Sequence, residues 1–111
     1  MIVAIAHKGD WHTKRSRDFI PSDAGGYNDK NFGQAQKFYL FLKNELIPLI
    51  NKKFTKQKDK SFIGHSFGGL FCLYTLFQPD KLFDNHFAIS PSVWANYREL
   101  LKIEENFSKK K

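Results

Sequence analysis

Gly64-His65-Ser66-Phe67-Gly68 is the stretch of this 111-residue chain whose residue types and spacing could do chemistry. It fits G-x-S-x-G, in which a serine sits on a sharp strand-to-helix turn with its hydroxyl free to act as a nucleophile. The flanking glycines Gly64 and Gly68, with Gly69 following, lack the Cβ atoms that would collide as the chain reverses direction. A helix starting there points its positive end and free N–H groups at the serine, where the oxyanion of an acyl-transfer intermediate would form. The bland alternative is a glycine-serine turn that merely joins two elements. His65 is read as a packing residue rather than a base, because adjacent residues in such a turn diverge.

The turn needs a strand before it and a helix after it, and both are legible. Residues 61–64 read as a short strand, and residues 68–77, apolar on nearly every side, read as a helix buried against a sheet and stopped by Pro79. Residues 2–6, "IVAIA", form a continuous apolar run suited to a strand covered on both faces. Residues 7–31 are polar, with Pro21 and the Gly25-Gly26 pair, and read as a long surface loop. From residue 34 to 53, Ala35, Phe38, Leu42, Leu46 and Leu49 trace one helical stripe with Tyr39 and Ile50 alongside. Pro48 predicts a kink or break at residues 44–47. Residues 87–90, "FAIS", read as a third strand, and "ANYRELLKIEENF" from Ala95 as a final amphipathic helix. Strand and helix alternate, so the sheet should be parallel and the class α/β: one domain over residues 1–111, with three strands and three helices.

"RSRDFIP" in the first loop, "ELIP" in the helix, "IGHSFGGLFCLYTLFQPDKLF" through the turn and "SPSVW" after the third strand together resemble the putative esterase family of the α/β-hydrolase superfamily. This is the esterase D group that includes siderophore esterases related to ferric enterochelin esterase. The resemblance covers nearly the whole chain up to Trp94, in order. It implies a partial α/β-hydrolase fold, cut from a larger doubly wound sheet, and a serine ester hydrolase. Ser66 would be the nucleophile, the Phe67 backbone N–H one oxyanion donor, and no metal or organic cofactor would take part. Where the family often places a second tryptophan after "SPSVW", this chain has Ala95.

In that superfamily the acid and the histidine follow the serine in the chain. Here the one histidine after Ser66 is His86, which precedes its strand and so lies at the wrong edge of a parallel sheet, as do Asp80 and Asp84. Glu99, Glu104 and Glu105 fall on the last helix and are read as solvent-facing. His7 and His12 lie on the serine's edge but in the wrong order, and are read as polar residues lining the mouth. The family's upstream strand, whose loop supplies the other oxyanion donor, is also missing from the run. The expectation is an internal fragment that carries the nucleophile without its triad, with open sheet edges that favour self-association. Substrate contacts are sought at Arg15, Arg17, Ser92 and Trp94. For the arginines an internal pairing with Asp18 that pins the loop competes with an anion-binding role, and for Trp94 core or lid packing competes with a pocket wall.

Composition fits a globular chain: 41% hydrophobic and 16% aromatic residues, 12 of them Phe, are too apolar for disorder. The net charge of +7 comes mostly from scattered lysines, which read as solvated surface rather than a nucleic-acid or membrane patch. Cys72 is the single cysteine, so no intrachain disulfide forms, and its apolar helix predicts a buried thiol. "MIVAIA" is too short for a signal segment, which leaves the compartment open. The partner expected is a small ester. The alternatives are a catalytically inactive remnant or interaction domain and, further off, a basic nucleic-acid binder.

Overall fold

A computed structural model describes residues 1–22 and 32–110; residues 23–31, with the Gly25-Gly26 pair, and Lys111 lie outside the described residues. The elements are α1 (Trp11–Phe19), α2 (Ala35–Phe41), a π turn (Leu42–Leu46), α3 (Ile47–Lys53), β1 (Ser61–His65), α4 (Phe67–Leu76), β2 (Asn85–Ile89) and α5 (Ala95–Lys109). Since α2, the π turn and α3 run on as one helix, the described residues make four helices and a two-stranded parallel sheet. β1 and β2 pair from Ser61 with Asn85 to His65 with Ile89. The α/β class and the parallel sheet are as expected from the pattern, and among the described residues two strands form rather than three.

The expected strand at residues 2–6 does not form; residues 1–8 are neither helix nor strand, and Ile2 is 96% exposed. A strand is held by a ladder, and apolar content without a neighbouring edge supplies none. The opposite correction applies to the polar run after it, which contains α1. Asp10 caps that helix by accepting from the Thr13 N–H at 3.3 Å. The Thr13 hydrogen bonds hold the Asp10 carboxyl below its ordinary range.

Pro48 acts as expected, with one refinement. It has no N–H and its ring crowds the carbonyl one turn back, so the chain widens into a π turn in which the Ile47 N–H reaches the Leu42 carbonyl five residues back. The extra residue rotates the last turns of the helix about its axis. Ala35, Tyr39 and Leu42 are buried, whereas Leu49, assigned to the same stripe, is exposed.

The core sits on one face of the sheet. α4 is apolar all round because it packs between the strands and the other helices, and Leu70, Phe71 and Cys72 are fully enclosed. Burial raises the Cys72 thiol's pKa. Phe71 is the hub: Phe38, Phe19, Phe62 and Tyr74 surround it with ring centroids 5.1 to 5.9 Å away. Ile63, Phe87 and Ile89 alternate to the other sheet face and are exposed. Phe71→Ala should cost about 3–5 kcal/mol, read as a drop in the urea midpoint followed by circular dichroism, because four rings lose one shared partner.

Candidate active site

The turn between β1 and α4 is built by backbone contact. A Cβ on Gly64 would lie 2.0 Å from the Gly68 carbonyl oxygen and 2.4 Å from its carbon, so only glycine lets the strand pass the helix so closely. At Gly69 a Cβ would meet the Pro91 Cα at 3.0 Å and the Ile89 carbonyl oxygen at 3.1 Å, so this glycine admits the segment after β2. Gly68 is different: its Cβ would find only the edge of Phe19, at 4.0 Å. The collision expected at both flanking glycines is therefore real at Gly64, while the second tight contact belongs to Gly69.

Ser66 occupies φ 59° and ψ −118°, a region that side-chain-bearing residues rarely adopt. Three backbone bonds hold it there. Its N–H donates to the Ile89 carbonyl at 3.0 Å, and its carbonyl accepts from Leu70 at 3.0 Å and from Ser92 at 3.1 Å. The Oγ is thereby turned out of the helix and makes no cap; it lies 3.1 Å from the Oγ of Ser92, which is buried. Among the described residues the N–H groups of Phe67, Gly68 and Gly69 have no hydrogen-bond acceptor, leaving the first turn of α4 with donors beside Ser66. A hydroxyl held next to free N–H donors can attack a carbonyl and have the resulting oxyanion received.

Around this turn stands an aromatic cluster. The Trp94 ring packs on Phe67 with centroids 5.9 Å apart, and the Arg15 guanidinium lies 5.5 Å from the Phe67 ring centre and 5.4 Å from that of Trp11. Trp11 is a member that sequence reasoning did not single out; its i, i+4 spacing to Arg15, on a helix capped by Asp10, is the signal that could have found it. Arg17 leaves the site. Its Nε and Nη2 donate to Asp18 at 2.6 and 3.0 Å, which raises its pKa, so of the two readings the internal pair is the one formed.

The histidines do not assemble on the serine. His7 Nε2 lies 2.9 Å from the Asp18 carboxylate with its ring against Phe19, and His12 stacks on Trp11. His65, expected to pack, is exposed on the open sheet face. His86 pairs with Phe62 near the start of β2, at the sheet edge away from Ser66, and its Nε2 is buried without a hydrogen-bond partner among the described residues. Asp80 pairs with Lys43 and Asp84 with Lys81, as connection residues would. Glu99 corrects the solvent-facing reading: it accepts from the Ser22 N–H at 3.2 Å and from Asn96 Nδ2 at 2.6 Å, tying α5 to the end of the first loop.

Over residues 1–111 the chain matches the Esterase family model, described as "Putative esterase". The chain belongs to this esterase family. It is 33% identical over 100 residues to the siderophore triacetylfusarinine C esterase of Aspergillus fumigatus, covering 86% of this chain and 34% of that protein. It is 32% identical over 118 residues to the ferri-bacillibactin esterase BesA of Bacillus subtilis, covering 96% and 41%. The crystal structure of the BES protein from Bacillus cereus superposes with a TM-score of 0.77 at 37% identity, over 89% of this chain and 38% of that one. The chain thus spans about a third to two fifths of the length of the curated relatives it matches. The fold of this esterase-family chain is α/β-hydrolase-like.

Two outcomes test the site's architecture. Gly64→Ala should lose at least the upper end of the ~1–3 kcal/mol that overpacking costs, while Gly68→Ala, in a helix with room for a methyl, should be neutral or stabilising by up to about 1 kcal/mol, both by thermal melts. Burial, with Lys81 adding to it, lowers the His86 pKa from 6.5, so this residue's contribution to stability is complete above about pH 6.5 and lost as pH falls through the lowered value. Urea midpoints measured from about pH 8 to 5 should fall on the acid side, and His86→Gln should flatten that fall.

Proposed function

We propose that this chain is the nucleophile-bearing part of a serine ester hydrolase whose substrates are siderophore-type esters. The single observation that carries the reading is Ser66, a non-glycine residue at positive φ between a parallel strand and a helix, with free N–H donors alongside. Kinship with proteins named as siderophore esterases supplies the substrate class. Ser66 Oγ attacks the ester carbonyl as a histidine takes its proton, and the Phe67 N–H holds the oxyanion. Collapse of the intermediate breaks the bond to the alcohol, which departs with that proton and leaves the acyl group on Ser66. Water, deprotonated by the same base, then releases the acid. Gly64, Gly68 and Gly69 shape the turn, and Trp94 and Ser92 line the approach.

In this reading the base, its acid partner and the second oxyanion donor come from chain beyond these 111 residues, so the segment is one partial α/β-hydrolase domain. The basis is geometric: among the described residues Ser66 Oγ has Ser92 as its side-chain partner and no histidine nitrogen. The same observation favours a second reading, a hydrolase remnant that has lost its chemistry. A fluorophosphonate separates the two, because it reacts with a serine only where a base and an oxyanion site exist. The expected outcome is labelling of Ser66 in a protein extended on both sides, loss of at least about a thousandfold in its ester turnover on Ser66→Ala, and no labelling of the 111-residue chain. Turnover that survives Ser66→Ala refutes the assignment.

A further inference from the structure

Lysines that are scattered along the sequence gather at one edge of the fold. α3 leads into β1, whereas α4 and α5 run back from the far ends of the strands, so all three helices finish at the edge where β1 and β2 begin. Two hydrogen bonds hold the loop after α3 to that edge: the Asp84 N–H donates to the Lys60 carbonyl at 2.7 Å, and the Lys60 N–H donates to the Asp84 carboxylate at 2.8 Å. Residues 52–60 carry Lys52, Lys53, Lys56, Lys58 and Lys60 against one acid, Asp59. None of these lysines makes a salt bridge among the described residues. The neighbouring acids are already engaged, Asp80 by Lys43, Asp84 by Lys81 and Glu105 by Lys109. A merely solvated face needs charge alone, and this one also presents apolar surface. Phe54, directly after Lys53, is 54% exposed, and Leu49, one turn before Lys53 on the same face of α3, is 48% exposed.

We propose that this edge docks on an anionic membrane surface, with the lysine ammonium groups among the lipid headgroups and the Phe54 ring at the boundary with the acyl chains. An ammonium is a compact charge that asks no particular geometry of its anion, which suits a fluid layer of headgroups. The planar fork that reads a phosphate or a base edge belongs to arginine, and Arg15, Arg17 and Arg98, the chain's arginines, lie on α1 and at the start of α5. Duplex nucleic acid would answer the charge and offer Phe54 no apolar layer. Ser66 lies at the opposite end of β1, so a docked chain turns that end toward solution. The inference is independent of the ester-hydrolase reading.

The test is sedimentation of the 111-residue chain at about 0.1 M salt with vesicles of phosphatidylcholine, either alone or carrying about 30% phosphatidylserine. The anionic vesicles should bind at least about tenfold tighter, and rising salt should erode the margin. Lys56→Gln should weaken that binding about fivefold, the scale of one lysine at a charged surface. Lys37→Gln removes the same charge from the other end of the continuous helix, on α2, and should cost less than about twofold. Phe54→Ser, which keeps every charge, should weaken binding about three- to tenfold, the scale of a partly buried ring. All three side chains are exposed, so these variants leave the core alone. Equal binding to both vesicles or to neither overturns the proposal. So does a Lys37→Gln loss as large as that of Lys56→Gln, which would mean net charge and no patch, or a Phe54→Ser chain that binds like the native one. A DNA duplex bound as tightly as the anionic vesicles marks a general polyanion surface and overturns it too.

Discussion

Everything at the candidate site depends on how closely the backbone of β1 passes the start of α4. With Gly64 against the Gly68 carbonyl there is no room for a methyl, and the approach forces one residue into an unfavourable conformation. Ser66 is that residue. The strain is overruled by three backbone hydrogen bonds, two of which come from β2 and the segment after it. The turn and the parallel pairing of β1 with β2 are therefore one structure: β2 supplies the Ile89 carbonyl that fixes the serine, and Gly69 lets the chain after β2 come near enough to bring Ser92 to it.

The same contact explains why the helix behind the turn is apolar on every side. α4 must lie flat against the sheet to begin at Ser66, and its other faces meet α1 and α5. Phe71 then becomes the point where sheet and helices meet, and the ring cluster around it extends through Phe19 to the edge of Gly68. A packed core reaches the Ser66 turn from behind, while the opposite side of the turn carries exposed indoles. That asymmetry suits the proposed site: a hydroxyl fixed on a packed base, with apolar surface exposed beside it.

Much of this is legible in the sequence, and the failures share a cause. The turn is readable because G-x-S-x-G encodes backbone geometry, which nearest neighbours decide. The helices at residues 34–53 and from Ala95 are readable because burial sets their period, α4 is readable because it is apolar on nearly every side, and Pro48 announces its own distortion. Residues 2–6 fail as a strand because strands are settled by partners remote in sequence, which an apolar run cannot reveal. α1 escapes notice for the converse reason: it lies in a polar run without an apolar stripe, and its start is signalled by Asp10 alone. Glu99 defeats a solvent-facing reading because its partner, Ser22, is 77 residues away.

Arg15 and Arg17 show where sequence reasoning must stop and geometry begin. Both lie in "RSRDFIP", both could pair with Asp18, and residue type alone gives no reason to prefer one. The helix decides. Arg17 turns its Nε and Nη2 onto the neighbouring carboxylate, which His7 also engages, so a cation, an anion and an imidazole close on one another and hold the first segment to α1. Arg15 lies elsewhere on the helix, toward Trp11 one turn back and across to Phe67 on α4. A carboxylate there would have neutralised it; two rings leave its charge intact. Asp18 thus does more than pin a loop: by engaging Arg17 it separates the pair, and Arg15 is the one that packs on aromatic rings beside the Ser66 turn.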